Sequence, residues 1–249
     1  MKKLSKRLVR SLGFEVRRVN NPVRKGAQAI HFLHIGKNAG TQVSNVSEQL
    51  NSLSATKFII KQGHDVMLRD IPHDSPYFFS IRSPISRFRS GFYSRKRKGQ
   101  PRIYSEWSAH DEIAFSEFEH ANELAESLFE RGERGRKAWA AMKSIRHTSQ
   151  NQCDWFSCFG NFLKVRPPIW IVRQEKFEAD LLKFIPLAFS DIDPLKIDLS
   201  TDEVSSHTND YSDIPPLSQR AKENLANWYC QDVQFYDMCN EWIEKGGSF

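Results

Sequence analysis

Lysine, glycine and threonine follow an apolar stretch early in the chain, in an order suited to binding a phosphate. The apolar stretch covers residues 30–35, and the turn after it reads GKNAGTQ (36–42) before a helix predicted over 43–50. The first amides of a helix lack partners inside it, so an anion can accept hydrogen bonds from them. Gly40 permits close approach or a positive φ angle, Lys37 adds a full charge, and Thr41 donates a hydroxyl or caps the helix. This turn is therefore a predicted phosphate loop.

The order of residues in this turn differs from that of the nucleotide-binding Walker loop. A Walker loop reads G-x-x-x-x-G-K-[ST], with a hydroxyl that holds Mg²⁺ directly after the lysine. Here Lys37 precedes Gly40, and Asn38 takes the place of that hydroxyl. A P-loop-type kinase or NTPase is thus an alternative with less support, and an ordinary surface turn with a solvated lysine is a second one.

A second segment, IRSPISRFRSGFY (81–93), also joins an apolar strand to a helix start. Ser83 is a suitable N-cap and Pro84 suits the first helical position, which places Arg82 at the end of the strand. Ser86 and Ser90 then share one face of the helix, with Arg82 at its base. A planar guanidinium beside serine hydroxyls suits a terminal phosphate monoester. The alternative is an amphipathic helix whose arginines are only solvated.

The two segments together resemble the carbohydrate sulfotransferases that use 3′-phosphoadenosine 5′-phosphosulfate (PAPS). In that family the first loop holds the 5′-phosphosulfate, and an R-x-P-x-x-R-x-x-S segment holds the 3′-phosphate. The family often has Pro-Lys-Thr where this chain has Gly36-Lys37-Asn38, which leaves the lysine and the later Gly-Thr pair in place. The resemblance implies that PAPS is bound by Lys37, Asn38, Ala39, Gly40, Thr41, Gln42, Arg82 and Ser90.

The resemblance also implies a reaction, which is transfer of the sulfuryl group of PAPS to a hydroxyl with release of adenosine 3′,5′-bisphosphate. We expect Lys37 to neutralise charge on the leaving phosphate and His64 to act as the general base. A Gly-His pair at 63–64 resembles that of uronosyl 2-O-sulfotransferases, and a neutral histidine suits the role near pH 7. Asp65, Glu112 and His147 remain alternatives, and no metal is expected.

The elements that must position these residues indicate an α/β fold. Short apolar strands are predicted at 30–35, 57–61, 77–82 and 169–173, with helical stretches between them. This alternation predicts a P-loop-like central parallel sheet with helices on both faces. Ligands of such sheets bind beyond the carboxyl ends of the strands, where both phosphate segments lie. We expect a single sulfotransferase domain over 26–249.

The net charge of +6 is concentrated at the N-terminus. Residues 1–25 contain nine Lys or Arg and one acid, a balance of +8, so the other residues sum to −2. A helix here would separate leucines from cations, which is typical of an interfacial helix on anionic lipid. A disordered tail and a mitochondrial-like presequence are the alternatives. We predict a basic amphipathic segment over 1–25, with peripheral membrane contact through 1–20.

These patterns also lead to expectations about location and partners. No apolar run approaches the roughly 20 residues that span a bilayer, so we expect a cytoplasmic protein, at the inner face of the membrane. The expected acceptor is a glycan or a lipid-linked sugar, as in polysaccharide biosynthesis, and nucleic acid is not an expected partner. A noncatalytic basic adaptor at the membrane surface is the remaining alternative function.

Overall fold

The computed structural model describes residues 26–101, 103–156, 161–199 and 214–248. The predicted basic segment over 1–25 lies outside these residues. Four strands form one sheet, namely β1 (Gln28–Leu33), β2 (Lys57–Lys61), β3 (Tyr77–Ile81) and β4 (Ile171–Arg173). The strand order is β2-β1-β3-β4, and every pairing is parallel. The predicted α/β fold with a central parallel sheet is confirmed, and the predicted strands match within two residues at each end.

The described helices connect and cover these strands. They are α1 (Gly40–Leu53), α2 (Pro84–Lys96), α3 (Ala109–Glu117), α4 (Ala121–Ser127), α5 (Glu133–Ser144), α6 (Phe162–Val165), α7 (Phe177–Ala188), α8 (Gln219–Trp228) and α9 (Cys230–Glu244). Among the residues that the structure describes, no helix has the length and apolar character needed to cross a membrane.

Both faces of the sheet are covered, as the apolar strands predict. Neighbouring residues of a strand point to opposite faces, and on β3 both faces are buried. The Phe78 ring packs 4.3 Å from the Phe184 ring of α7, whereas the Phe79 ring packs 4.7 Å from Phe156 and 6.0 Å from Phe162 of α6. The sheet is therefore a rigid central layer, and its strand ends are fixed in position.

A second hydrophobic cluster lies among the helices. It joins the inner face of α2 to α3, α4, α5 and α8, with Phe88 and Phe92 fully buried at its centre. The aromatic residues of α2 that recur at helical spacing are therefore core residues. This packing fixes the orientation of α2, so the opposite side of that helix is held toward the end of β1.

Candidate anion-binding site

The loop after β1 and the start of α2 are brought side by side at the carboxyl edge of the sheet. β1 pairs directly with β3, and Leu33 is in register with Phe79. Since the two strands are parallel and adjacent, residues 34–40 and 82–84 leave the sheet at the same edge. The two predicted phosphate segments therefore face one another.

The backbone of the loop after β1 turns through two residues with positive φ. Lys37 has φ 70° and Ala39 has φ 57°, so both are in the left-handed region. Successive turns of this kind aim backbone amides into a concave surface that suits an anion. The prediction gave Gly40 either a close approach or a positive φ, and the positive φ lies at Lys37 and Ala39 instead. The helix α1 begins at Gly40 with Ala39 as its N-cap, so Thr41 lies inside the helix and is not the cap.

Gly40 is required for close packing instead. A Cβ atom at this position would lie 1.9 Å from Nε2 of His34. The imidazole of His34 therefore occupies the space that any other side chain at residue 40 would need. The predicted close approach at Gly40 is made by this imidazole.

Lys37 lies in a strongly positive environment. Its pKa is lowered from 10.5 to about 8, mainly by burial and then by the charges of Arg82, Arg97 and Arg87, in that order. No ion pair with an acid is found for Lys37 among the described residues. Cations gathered in this way repel one another unless an anion lies among them. The charges therefore indicate a site for a polyanionic ligand.

Arg82 leaves the sheet at the end of β3 and lies along the start of α2. Its Nε donates to Oγ of Ser86 at 2.8 Å, and its Nη1 lies 3.4 Å from the carbonyl of Lys37. Ser83 is the N-cap and Pro84 begins the helix, as predicted, although Ser83 makes no capping bond with its side chain. Ser90 is buried one turn beyond Ser86 on the same face of the helix. Arg82 and Ser90, the predicted phosphate-binding residues of this segment, therefore lie on either side of Ser86.

Arg87 is a residue of the candidate site that the sequence analysis did not single out. It is 1% exposed, and its Nε donates to the carbonyl of Gly36 at 3.0 Å. Its Nη1 donates to the carbonyl of Gln150 at 2.7 Å. The side chain therefore ties the phosphate loop to the segment before Gln152. Arg87 is the second arginine of the R-x-P-x-x-R-x-x-S pattern, which is the signal that could have identified it.

Asn38 belongs to a buried network and does not present its side chain to a ligand. Its Nδ2 donates to the carbonyl of Ser80 at 2.9 Å and to Oε1 of Gln152 at 2.6 Å, and Oγ of Ser80 donates to its carbonyl. Gln152 also bonds the amide and the carbonyl of Arg82 and contacts Asp232 of α9. This network locks the loop to the end of β3. Only the backbone of Asn38 is placed to meet an anion.

Three histidines surround the phosphate loop. The rings of His34 and His64 are in contact at a tilt of 37°, with centroids 3.9 Å apart, and the His147 ring lies 6.2 Å from that of His64. A Cβ atom on Gly36 would lie 2.9 Å from Nδ1 of His147 and 3.7 Å from Nδ1 of His64. The predicted base, which follows β2 in the sequence, therefore reaches the same edge of the sheet as the loop.

The hydrogen bond of His64 determines its tautomer. Its Nδ1 lies 3.2 Å from the carbonyl of His34, which can only accept, so Nδ1 carries the hydrogen. In the neutral ring Nε2 then has an available lone pair. Burial by the neighbouring groups lowers the pKa of His64, and the bond to the carbonyl opposes this shift. The neutral form therefore prevails at pH 7, as a general base requires.

The other predicted bases are placed differently. His147 lies between the loop and Gly91 of α2, and its pKa falls to about 3 because of burial and then the charge of Lys37. Its imidazole is therefore neutral, and it packs against the loop. Asp65 follows His64 and is exposed, and Glu112 is exposed on α3. Of these three residues, His147 is the one in contact with the loop.

Sequence comparisons add no independent assignment to this geometry. No family model matches the chain, and no curated protein matches it. The likeness to the carbohydrate sulfotransferases therefore depends on residues 34–42 and 81–93 and on the way the fold brings them together.

Proposed function

We propose that this chain is a PAPS-dependent sulfotransferase that transfers a sulfuryl group to a hydroxyl of a glycan or glycolipid acceptor. The observation that carries the proposal is the group of cations at the carboxyl edge of the sheet. Lys37 lies there among Arg82 and Arg87, beside the first amides of α1 and without an ion pair to a described acid. A donor with phosphates at two positions would place one phosphate at the loop and the other at the start of α2, where each meets cations and hydrogen-bond donors.

The residues present fit such a donor. The left-handed turn at Lys37 and Ala39 and the start of α1 would receive the 5′-phosphosulfate, with Lys37 as the cation. Arg82, Ser86 and Ser90 would receive the 3′-phosphate, because a guanidinium and hydroxyls are gathered on one face of α2. Arg87 would hold the loop in place through its bond to the carbonyl of Gly36.

Sulfuryl transfer breaks the bond between sulfur and the bridging oxygen of the donor and forms a bond between sulfur and the acceptor oxygen. The acceptor hydroxyl loses its proton in this step, and Nε2 of His64 is the group proposed to take it. Lys37 and the loop amides would stabilise the negative charge that develops on the leaving phosphate. The contact with the His34 ring would hold the His64 ring in position.

A P-loop-type kinase or NTPase is less well supported. Asn38 follows the lysine, and its side chain is buried against Ser80 and Gln152. The loop therefore offers no hydroxyl where a P-loop enzyme binds Mg²⁺. A noncatalytic adaptor at the membrane surface would not account for the cations gathered at the site.

We propose the cytoplasm, at the inner face of the membrane, as the compartment of this protein.

Calorimetric titration with adenosine 3′,5′-bisphosphate tests the proposal, with ATP plus Mg²⁺ as the comparator. We expect metal-independent binding that prefers the bisphosphate and weakens at least about tenfold in Lys37→Ala and Arg82→Ala, because each variant loses a charge-assisted bond. The variant Lys222→Ala, on the exposed face of α8, should bind like the wild type. Preference for Mg-ATP would support a kinase, and binding of neither nucleotide would refute both enzymes.

The role of His64 needs a separate readout. We expect His64→Ala to bind the bisphosphate within about twofold of the wild type, since the bond of its ring goes to a backbone carbonyl. Release of the bisphosphate from PAPS in the presence of a glycan acceptor should fall by about 10²-fold or more. Turnover that survives in this variant would exclude His64 as the base and direct attention to His147.

A further inference from the structure

Four consecutive cations, residues 95–98, end the helix α2, and three of them are neutralised by acids. Arg95 lies 2.7 Å from Asp111. Lys96 pairs with Glu119, and Lys98 pairs with Glu106. The basic cluster that the sequence shows around this helix is therefore largely compensated within the protein.

Arg97 is different from its neighbours. It forms no ion pair with an acid among the described residues, and its Nε is buried without a hydrogen-bond partner there. A buried donor without a partner is costly, so such groups are uncommon unless a ligand or water satisfies them. The cation is thus retained at a position where the rest of the helix end has been neutralised.

The helical positions place Arg97 in line with the phosphate face of α2. At 100° per residue, Ser90 lies about 40° and Arg97 about 20° around the axis from Ser86, so the three share one stripe. Arg97 lies about 10 Å beyond Ser90 along the axis, at 1.5 Å per residue. Side chains on a helix lean toward its N-terminus, so the guanidinium leans back toward Ser90 and the loop.

The charge of Arg97 also acts on Lys37 in the loop. Arg97 lowers the pKa of Lys37 more than Arg87 does, although Arg87 bonds directly to the carbonyl of Gly36 beside that lysine. The charge of Arg97 therefore adds to the positive charge around Lys37. Arg82 precedes the first turn of α2 and Arg97 follows its last turn, so the two arginines lie at opposite ends of one positive face, with Ser86 and Ser90 between them.

We propose that Arg97 binds an oxyanion of the ligand at the end of this positive face opposite Arg82. The oxyanion is either a phosphate of the donor or an acidic group of the acceptor, and the inference rests on the proposed function for the identity of these molecules. Because Arg97 lies beyond Ser90 on this face, it would select acidic acceptors if the donor occupies only the part of the face between Arg82 and Ser90.

The test compares Arg97→Gln with Lys96→Gln, which removes one charge from the same helix end but from a cation that already has an acid. Both variants and the wild type are titrated with adenosine 3′,5′-bisphosphate and, after saturation with it, with inorganic sulfate, at about 0.1 M salt to limit long-range effects. The conservative Arg97→Lys variant keeps the charge, and it tests the role of the cation if Arg97→Gln does not fold.

Each outcome decides the inference. At least about tenfold weaker bisphosphate binding in Arg97→Gln alone assigns the oxyanion to the donor. Unchanged bisphosphate binding with loss of sulfate binding to the saturated protein assigns it to the acceptor. Equal behaviour of Arg97→Gln and the wild type toward both anions refutes the role of Arg97. If the wild type binds sulfate through Arg97 but not the bisphosphate, the proposed function fails while the oxyanion site stands.

Discussion

Replacement of Lys37 by methionine should make the protein more stable at neutral pH. Methionine retains the apolar stem of the lysine and removes the charge. The pKa of Lys37 falls from 10.5 to about 8 on folding, mainly because of burial and then because of Arg82. A difference of this size corresponds to about 3 kcal/mol against the charged form. Since Lys37 is partly exposed, solvent screening reduces our expectation to about 2 kcal/mol in favour of Lys37→Met at pH 7.

The pH dependence gives this prediction a specific signature. Below pH 8 the lysine is protonated in both states, so the whole cost of its charge is present in the folded protein. Between pH 8 and 10.5 the unfolded chain holds a proton that the folded protein has released, so wild-type stability rises with pH relative to the variant. The advantage of Lys37→Met should therefore fall to less than about half of its neutral value at pH 9.5.

Urea unfolding at pH 7 and pH 9.5 measures both quantities, with the slope of unfolding free energy against urea compared between variants. The control Lys222→Met removes an exposed lysine from α8 and should change stability by no more than about 0.5 kcal/mol. The reasoning is refuted if Lys37→Met is less stable than the wild type at pH 7, or if its advantage does not change with pH.

Two further substitutions test the packing of the site. Gly40→Ala places a Cβ 1.9 Å from Nε2 of His34, so we expect the free energy of unfolding in urea to fall by about 2 kcal/mol. Recovery of stability in the double variant with His34→Ala would trace the loss to this contact. Gln152→Leu removes the side-chain hydrogen bonds of Gln152 to Asn38, the Arg82 backbone and Asp232, so we expect a loss of about 3 kcal/mol by the same assay. An unchanged midpoint would contradict the network. The exposed control Gln219→Leu should stay within about 0.5 kcal/mol.

The local signals in the sequence were sufficient for the fold class and for the edge of the sheet that carries the site. Short apolar strands that alternate with helices can be buried only as a parallel layer covered on both faces, and this is the arrangement of β1 to β4. The start of α2 at Pro84 follows from the preferences of serine and proline at helix N-termini. These features depend on neighbouring residues, so a single sequence contains them.

Other features were determined by contacts between distant segments. The network of Asn38 with Gln152 spans 114 residues, and the contact of the His34 ring with the His64 ring depends on the parallel pairing of β1 and β2. The loop after β1 is held by Gln152, Ser80 and Arg87, and within it the positive φ falls at Lys37 and Ala39. The sequence had offered Gly40 as the residue for a positive φ or a close approach.

The tertiary structure also decided which cations at the end of α2 pair with an acid among the described residues. Composition alone cannot distinguish Arg97 from Lys96 or Lys98, because all three are cations at the end of one helix. The acids that pair with Lys96 and Lys98 are Glu119 and Glu106, on segments that fold back onto α2. Sequence determined which residue types were available for an anion site. The tertiary structure decided which of these cations lie near an acid among the described residues, because Coulomb interactions depend on distance in space.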